Sequence, residues 1–145
     1  FLYRGSDERQ YNAPGIELPV CAVCRSKYGE YPEYHTSKDD MGLISPSGLE
    51  GAYRAYQLIL EALEANRTYR VTCYGEPQLG KRGLYPTISQ KGSYGGNKAM
   101  TDFITYADGR NDLIAISDRI DVPVHDLIPI AEKMVEAGLF EEVEE

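Results

Sequence analysis

The chain has 145 residues, 42% of them hydrophobic, enough to bury one modest core or two small ones. No apolar run approaches the ~18 residues that cross a bilayer and no charged-then-apolar leader opens the sequence, so no membrane partner is expected. The net charge of −8 is uneven: from Asn111 to Glu145 ten acidic residues face only Arg119 and Lys133, while the 13 acidic and 13 basic residues before them cancel. That acidic end argues against nucleic acid as a partner, because phosphate repulsion would dominate. Three cysteines, an odd number, form no disulfide framework, and reduced thiols in a cytoplasmic protein are expected.

In chain order, Phe1-Leu2-Tyr3 is strand-like, and Phe1 to about Asp40 alternates short apolar runs with Gly, Pro and polar turns. That is the pattern of strand edges and site-bearing loops in an α/β sheet. Leu18 to Val23 reads as a buried strand carrying most of Cys21-Ala22-Val23-Cys24, and no second cysteine pair with zinc-finger spacing exists. Next comes Glu33-Tyr34-His35-Thr36-Ser37-Lys38-Asp39-Asp40, an imidazole ringed by carboxylates and hydroxyls. A neutral ring nitrogen of His35 suits zinc, and the Tyr34 phenol could donate to a developing oxyanion. Asp39 and Asp40 suit fixing the turn better than ligating.

Ser45-Pro46 should open a helix, Ser as N-cap and Pro at the first helical position. Leu49, Ala52, Tyr53, Tyr56, Ile59, Leu60 and Leu63 then share a face that reads as core packing over the sheet, and Asn66 can end the helix in the left-handed conformation. Thr68 to Tyr74 alternates like a strand. It runs into Gly75-Glu76-Pro77-Gln78-Leu79-Gly80-Lys81-Arg82-Gly83, which only superficially fits a phosphate loop. Arg82 stands where a magnesium-binding hydroxyl belongs, and Gly83 with Pro86 prevents the following helix. Lys81 and Arg82 could instead reach a substrate carboxylate or other anion, or they could be solvated side chains of a structural loop.

Ser89 to Gly96 reads as a flexible linker. Three helical patterns follow. The first has Asn97 as cap, Met100, Phe103, Ile104 and Ala107 inward, and an end at Asp108-Gly109. The second is capped by Asp112, with Leu113, Ile114, Ile116 and Ile120 apolar. The third runs from about Pro123 through Val135, with Leu127, Ile130, Ala131 and Met134 at core spacing. Gly138 should stop it, and Leu139 to Val143 should return as a strand. Three helices, a tight turn and a strand describe a winged-helix module. Its third helix offers Lys133 against Asp126, Glu132 and Glu136, which favours protein contact or domain packing, including self-association into a homo-oligomer, over DNA reading.

The run Gly5-Ser6-Asp7-Glu8-Arg9-Gln10, then Pro14-Gly15-Ile16-Glu17-Leu18-Pro19-Val20, then Tyr34-His35-Thr36-Ser37-Lys38-Asp39-Asp40 resembles the last third of the co-catalytic zinc aminopeptidases. There a Ser-Asp motif, a Gly-Ile/Val-Pro strand entry and a Tyr/Ile-His-Thr-x-x-Asp metal turn follow in this order. The chain is more specifically similar to aminopeptidase-like proteins of a bacterial domain family of unknown function that carry a carboxy-terminal winged helix. Gly75 to Pro86 matches their Gly-Glu-Pro-Gln-Leu-Gly-Lys-Arg-Gly-Leu-Tyr-Pro segment, so the resemblance spans nearly the whole chain.

The resemblance implies an α/β fold in which residues 1–90 form the carboxy-terminal portion of an aminopeptidase-like sheet with its covering helix, and 97–145 a winged-helix module. It implies zinc-dependent hydrolysis of a peptide or amide bond. His35 would be a metal ligand, Tyr34 an oxyanion donor, Asp7 an orienting group, and Glu8 and Arg9 contacts to the substrate amine or carboxylate. Many aminopeptidases carry His where Glu8 stands, so substrate choice is expected to differ. A catalytic zinc takes three protein ligands plus water, and the resemblance gives this chain only His35; its other histidine, His125, falls in the winged helix. The chain is therefore expected to be a fragment without hydrolase activity of its own. The alternative is an acidic winged-helix adaptor on a non-catalytic peptidase-like scaffold.

Overall fold

The computed structural model describes residues 5–84 and 94–143. The strand expected at Phe1-Leu2-Tyr3, most of the expected linker and the end of the Gly75 to Pro86 segment lie outside them. The chain divides into two units, Phe1–Tyr56 and Gln57–Glu145.

In the first unit, helix α1 (Ser6–Tyr11) is followed by turns up to Ile44, and helix α2 (Pro46–Glu64) begins there and ends in the second unit. The expected cap is present: Ser45 Oγ accepts the Gly48 N–H at 3.1 Å and Pro46 is the first helical residue. Two expectations are corrected. Leu18 to Val23 is not a strand, and Leu18, Val20 and Val23 are exposed. A strand needs a neighbour to satisfy its backbone, and among the described residues of this unit there is none. The apolar face of α2 is not core either: Leu49 is 63% exposed, Tyr53 67%, Leu60 58% and Leu63 56%. The helical spacing is real, but the cover is partial: in the first unit the Tyr56 hydroxyl donates to Val23 O at 3.3 Å, and Leu49 and Ala52 face Cys24, Arg25 and Leu43 across an open pocket. Nor does Asn66 adopt a left-handed backbone; its Oδ1 accepts the Ile114 N–H at 3.0 Å.

The second unit holds the core. Strand β1 (Thr68–Val71) is the centre of a three-stranded antiparallel sheet, between β2 (Asp108–Asp112) and β3 (Phe140–Glu142). Tyr69 opposes Glu142 and Val71 opposes Phe140, while the β1–β2 register slips between Thr68 and Arg70. At that irregularity Gly109 has φ +80°, a backbone that favours glycine, and the Arg70 guanidinium lies close over it. Helix α3 (Tyr94–Tyr106) ends just before Asp108-Gly109 as expected, and those two residues open strand β2, which was not expected. Its five residues carry no apolar alternation, and pairing with β1 makes the strand. Asp108 Oδ1 accepts the N–H groups of Arg110 (2.9 Å) and Asn111 (3.3 Å), which hold its carboxyl below the usual range.

Helices α3 (Tyr94–Tyr106), α4 (Leu113–Ile120) and α5 (Val124–Glu136) cover the sheet. Helix α3 starts before Asn97, which is therefore no cap. Asp112 does cap α4, its side chain accepting the Ala115 N–H at 2.7 Å. Gly138, at φ +65°, follows α5 before β3. The buried set includes Tyr69, Leu79, Phe103, Leu113, Ile116, Leu127, Met134 and Phe140. At its centre three rings meet, Phe103 to Phe140 at 5.0 Å and Tyr69 to each at 6.0 and 5.8 Å. No helix among the described residues is long and apolar enough to cross a membrane.

Candidate functional site

Helix α1 carries Asp7, Glu8 and Arg9. Glu8, at its third position, turns back so that Oε1 accepts the Gly5 N–H at 3.2 Å, half of a capping box, and also the Tyr28 hydroxyl at 2.8 Å. The Glu8 carboxylate at the end of that bond, with desolvation second, pushes the Tyr28 phenol above its ordinary value. Asp7 and Arg9 are exposed on the same helix.

The Tyr34–His35 turn is fastened from within. Thr36 donates both its N–H (3.0 Å) and its Oγ1 (2.7 Å) to Glu33 O, and its Oγ1 accepts the Lys38 N–H at 3.2 Å. Asp40 Oδ1 accepts the Gly42 N–H at 2.7 Å. His35 sits at φ +57°, a left-handed backbone that costs a non-glycine residue about 1–3 kcal/mol and persists only where the surroundings enforce it. Its exposed imidazole stacks on Tyr34, ring centres 4.0 Å apart and 15° from parallel. Tyr31 meets the Tyr34 ring edge-on at 5.6 Å and Tyr28 lies 6.2 Å from it. Glu8, Tyr34 and His35 are thus linked through Tyr28. Tyr28 and Tyr31 were not among the residues expected at the site, and since residues 28–34 form turns, the three-residue spacing of Tyr28, Tyr31 and Tyr34 is no helical signal for them.

Among the described residues no three His, Cys, Asp or Glu side chains converge as a metal site would require. Among the described residues His35 is thus without the further protein ligands that a catalytic zinc takes. Cys21 and Cys24 are free and exposed.

Lys81 and Arg82 belong to the second unit. They sit on a one-turn 3-10 helix (Leu79–Arg82) between a Gly75 at φ +79° and a Gly83 at φ +70°. Leu79 is in the core, and Arg82 Nη1 donates to Ala137 O at 2.8 Å, fastening the loop to the end of α5. Lys81 and Arg82 are both exposed and both line an open cleft of about 410 Å³, together with Cys73, Tyr74, Glu76, Pro77 and Gln78. The bond to Ala137 makes Arg82 an anchor. Arg82→Glu is expected to remove about 1 kcal/mol, lowering Tm by roughly 4–8 °C for a unit this size. A thermal melt unchanged from wild type would return Arg82 to the candidates for ligand contact.

In the second unit, β2, α4, the turn at Asp121 to Pro123, α5 and β3 follow one another as a helix-turn-helix flanked by sheet strands, which defines a winged-helix protein. The chain belongs to the winged helix-turn-helix family, whose model matches residues 67–142. Residues 1–66 match a family described as a domain of unknown function. A Clostridium acetobutylicum protein named as a candidate polysaccharide biosynthesis protein with an aminopeptidase-like domain is 42% identical over 119 residues, 81% of this chain and 27% of that protein. The crystal structure of a candidate peptidase from Clostridium acetobutylicum matches with a TM-score of 0.81 and 34% identity, over 99% of this chain and 31% of its own. This chain thus spans about a quarter to a third of the length of these relatives.

Proposed function

We propose that the chain supplies the carboxy-terminal part of a zinc-dependent, aminopeptidase-like hydrolase that cleaves a peptide or amide bond, and that it is inactive alone. The observation that carries this is His35, held in a strained left-handed backbone and stacked on Tyr34, in a turn whose motif resembles the metal turn of such enzymes. The likeness to a peptidase-named structure over 99% of the chain supports it. In this role His35 gives one ligand, the rest coming from other parts of the longer protein. Tyr34 donates toward the oxyanion, Asp7 orients neighbouring groups, and Glu8 and Arg9 lie where the substrate's amine or carboxylate would be met. Lys81 and Arg82 both line the cleft where an anion would be met, with one Arg82 N–H already given to Ala137 O. Zinc, when bound, polarises the carbonyl and makes water a nucleophile near neutral pH. The exposed stripe Leu49, Tyr53, Tyr56, Leu60 and Leu63, spaced alternately four and three residues apart, is the face that would cover the aminopeptidase-like sheet. Free thiols fit a cytoplasmic protein.

Metal removal tests this. Chelation of the longer protein should abolish hydrolysis of peptide and amide substrates, and added zinc should restore it. A zinc-loaded protein inert toward every peptide and amide would sink the proposal.

A second reading, the acidic adaptor on a silent peptidase-like scaffold, draws on α5, whose exposed residues include Asp126, Glu132 and Glu136 against Lys133. On either reading that face suits a protein partner or a second copy of the module, and not nucleic acid. The chain is expected to leave duplex DNA unshifted in a gel titration even at ~50 mM salt, where attraction is least screened; submicromolar binding would refute the protein-contact role.

A further inference from the structure

Tyr28 touches both halves of the proposed site and belongs to neither motif. Its hydroxyl donates to Glu8 Oε1 at 2.8 Å, the oxygen that also accepts the Gly5 N–H. Its ring lies over Gly5, where a Cβ would come within 2.8 Å of Tyr28 Cε2 and Oη, so the approach depends on that glycine. On the other side the ring sits 6.2 Å from Tyr34, which stacks on His35.

We propose that Tyr28 is a positioning residue: its phenol ties down Glu8 and its ring braces Tyr34, so that the Ser6-Asp7-Glu8 motif and the Tyr34–His35 turn keep one fixed relation. This rests on the roles proposed above for Tyr34 and His35. The physical case has two parts. A strained His35 needs its neighbours to enforce its pose. The Tyr28–Glu8 bond spans 20 residues and has an anionic acceptor, which makes it stronger than a neutral one. A small displacement of such a pair would cost turnover more than affinity, because reacting groups tolerate little misplacement.

Two measurements separate this role from the hydrolytic reading. The chain has two histidines, so the imidazole Cε1–H of His35 is resolved by NMR beside that of His125, and its stacking on Tyr34 should shift it upfield. In the full chain, Tyr28→Phe and Glu8→Gln should each move the His35 signal toward its unstacked position and leave His125 unmoved. The double variant should go no further than either alone, as expected for two partners in one bond. A His35 signal unmoved by both changes, or shifts that add, would overturn the positioning role whether or not the longer protein is active. In the longer protein, Tyr28→Phe should lower kcat ~10-fold or more with KM and zinc content near wild type. An active wild type with an equally active Tyr28→Phe variant would also overturn it. A longer protein with no hydrolytic activity would remove the hydrolytic reading alone, and the His35 signal would still decide what Tyr28 does.

Discussion

His35→Ala in the longer protein should reduce kcat/KM on peptide or amide substrates by at least ~100-fold and lower its zinc content. Substitutions that merely disturb the groups behind a metal ligand already cost 10–100-fold in metal affinity or activity, and removing a ligand outright should cost more. In the 145-residue chain alone stability should move little, because there the imidazole is exposed and its loss opens no cavity. Alanine does not relieve the backbone, since φ +57° strains any residue with a Cβ. His35→Gly should therefore melt slightly higher than His35→Ala while being equally inactive. Elemental analysis, a steady-state assay and a thermal melt on the three proteins check all of this. Zinc content and turnover unchanged in His35→Ala would refute the assignment of the ligand.

Some local signals survived in the structure and others did not: the caps at Ser45 and Asp112 are present, whereas those expected at Asn66 and Asn97 are not. The Ser45 and Asp112 caps and the apolar faces of α4 and α5 are written within a few residues of where they act. Strand β2 is not. Asp108 to Asp112 is polar throughout and becomes a strand only because β1, forty residues earlier, lies beside it. The opposite error occurred at Leu18 to Val23 and along α2, where apolar pattern was read as burial. Pattern reports the face that prefers cover; cover itself depends on what else folds against it. At the site, the order of motifs pointed to Glu8, Tyr34 and His35. Tyr28 was invisible because its contact with Glu8 joins helix α1 to a turn 20 residues away, and no periodicity encodes such a bond.

The aromatic centre of the second unit gives the largest stability effect. Phe103 is fully buried, edge-on to Phe140 at 5.0 Å and to Tyr69 at 6.0 Å, and joins α3 to strands β1 and β3. Removing a buried phenyl costs about 3–5 kcal/mol through lost transfer energy plus the cavity left behind, a large part of the 5–15 kcal/mol typical of a whole domain. Phe103→Ala should therefore leave the second unit partly unfolded at 37 °C, and its urea midpoint should fall steeply. Leu60→Ala, which also removes a large apolar side chain, should change the stability of this chain by no more than about 0.5 kcal/mol, because Leu60 is 58% exposed. In the longer protein the two should draw closer, since the proposed covering sheet would bury Leu60 as well. Urea titrations of both variants in both contexts decide the matter. A Leu60→Ala penalty near zero in the longer protein would show that the α2 stripe stays uncovered, and a small penalty for Phe103→Ala would mean that the three rings are not the centre of the core.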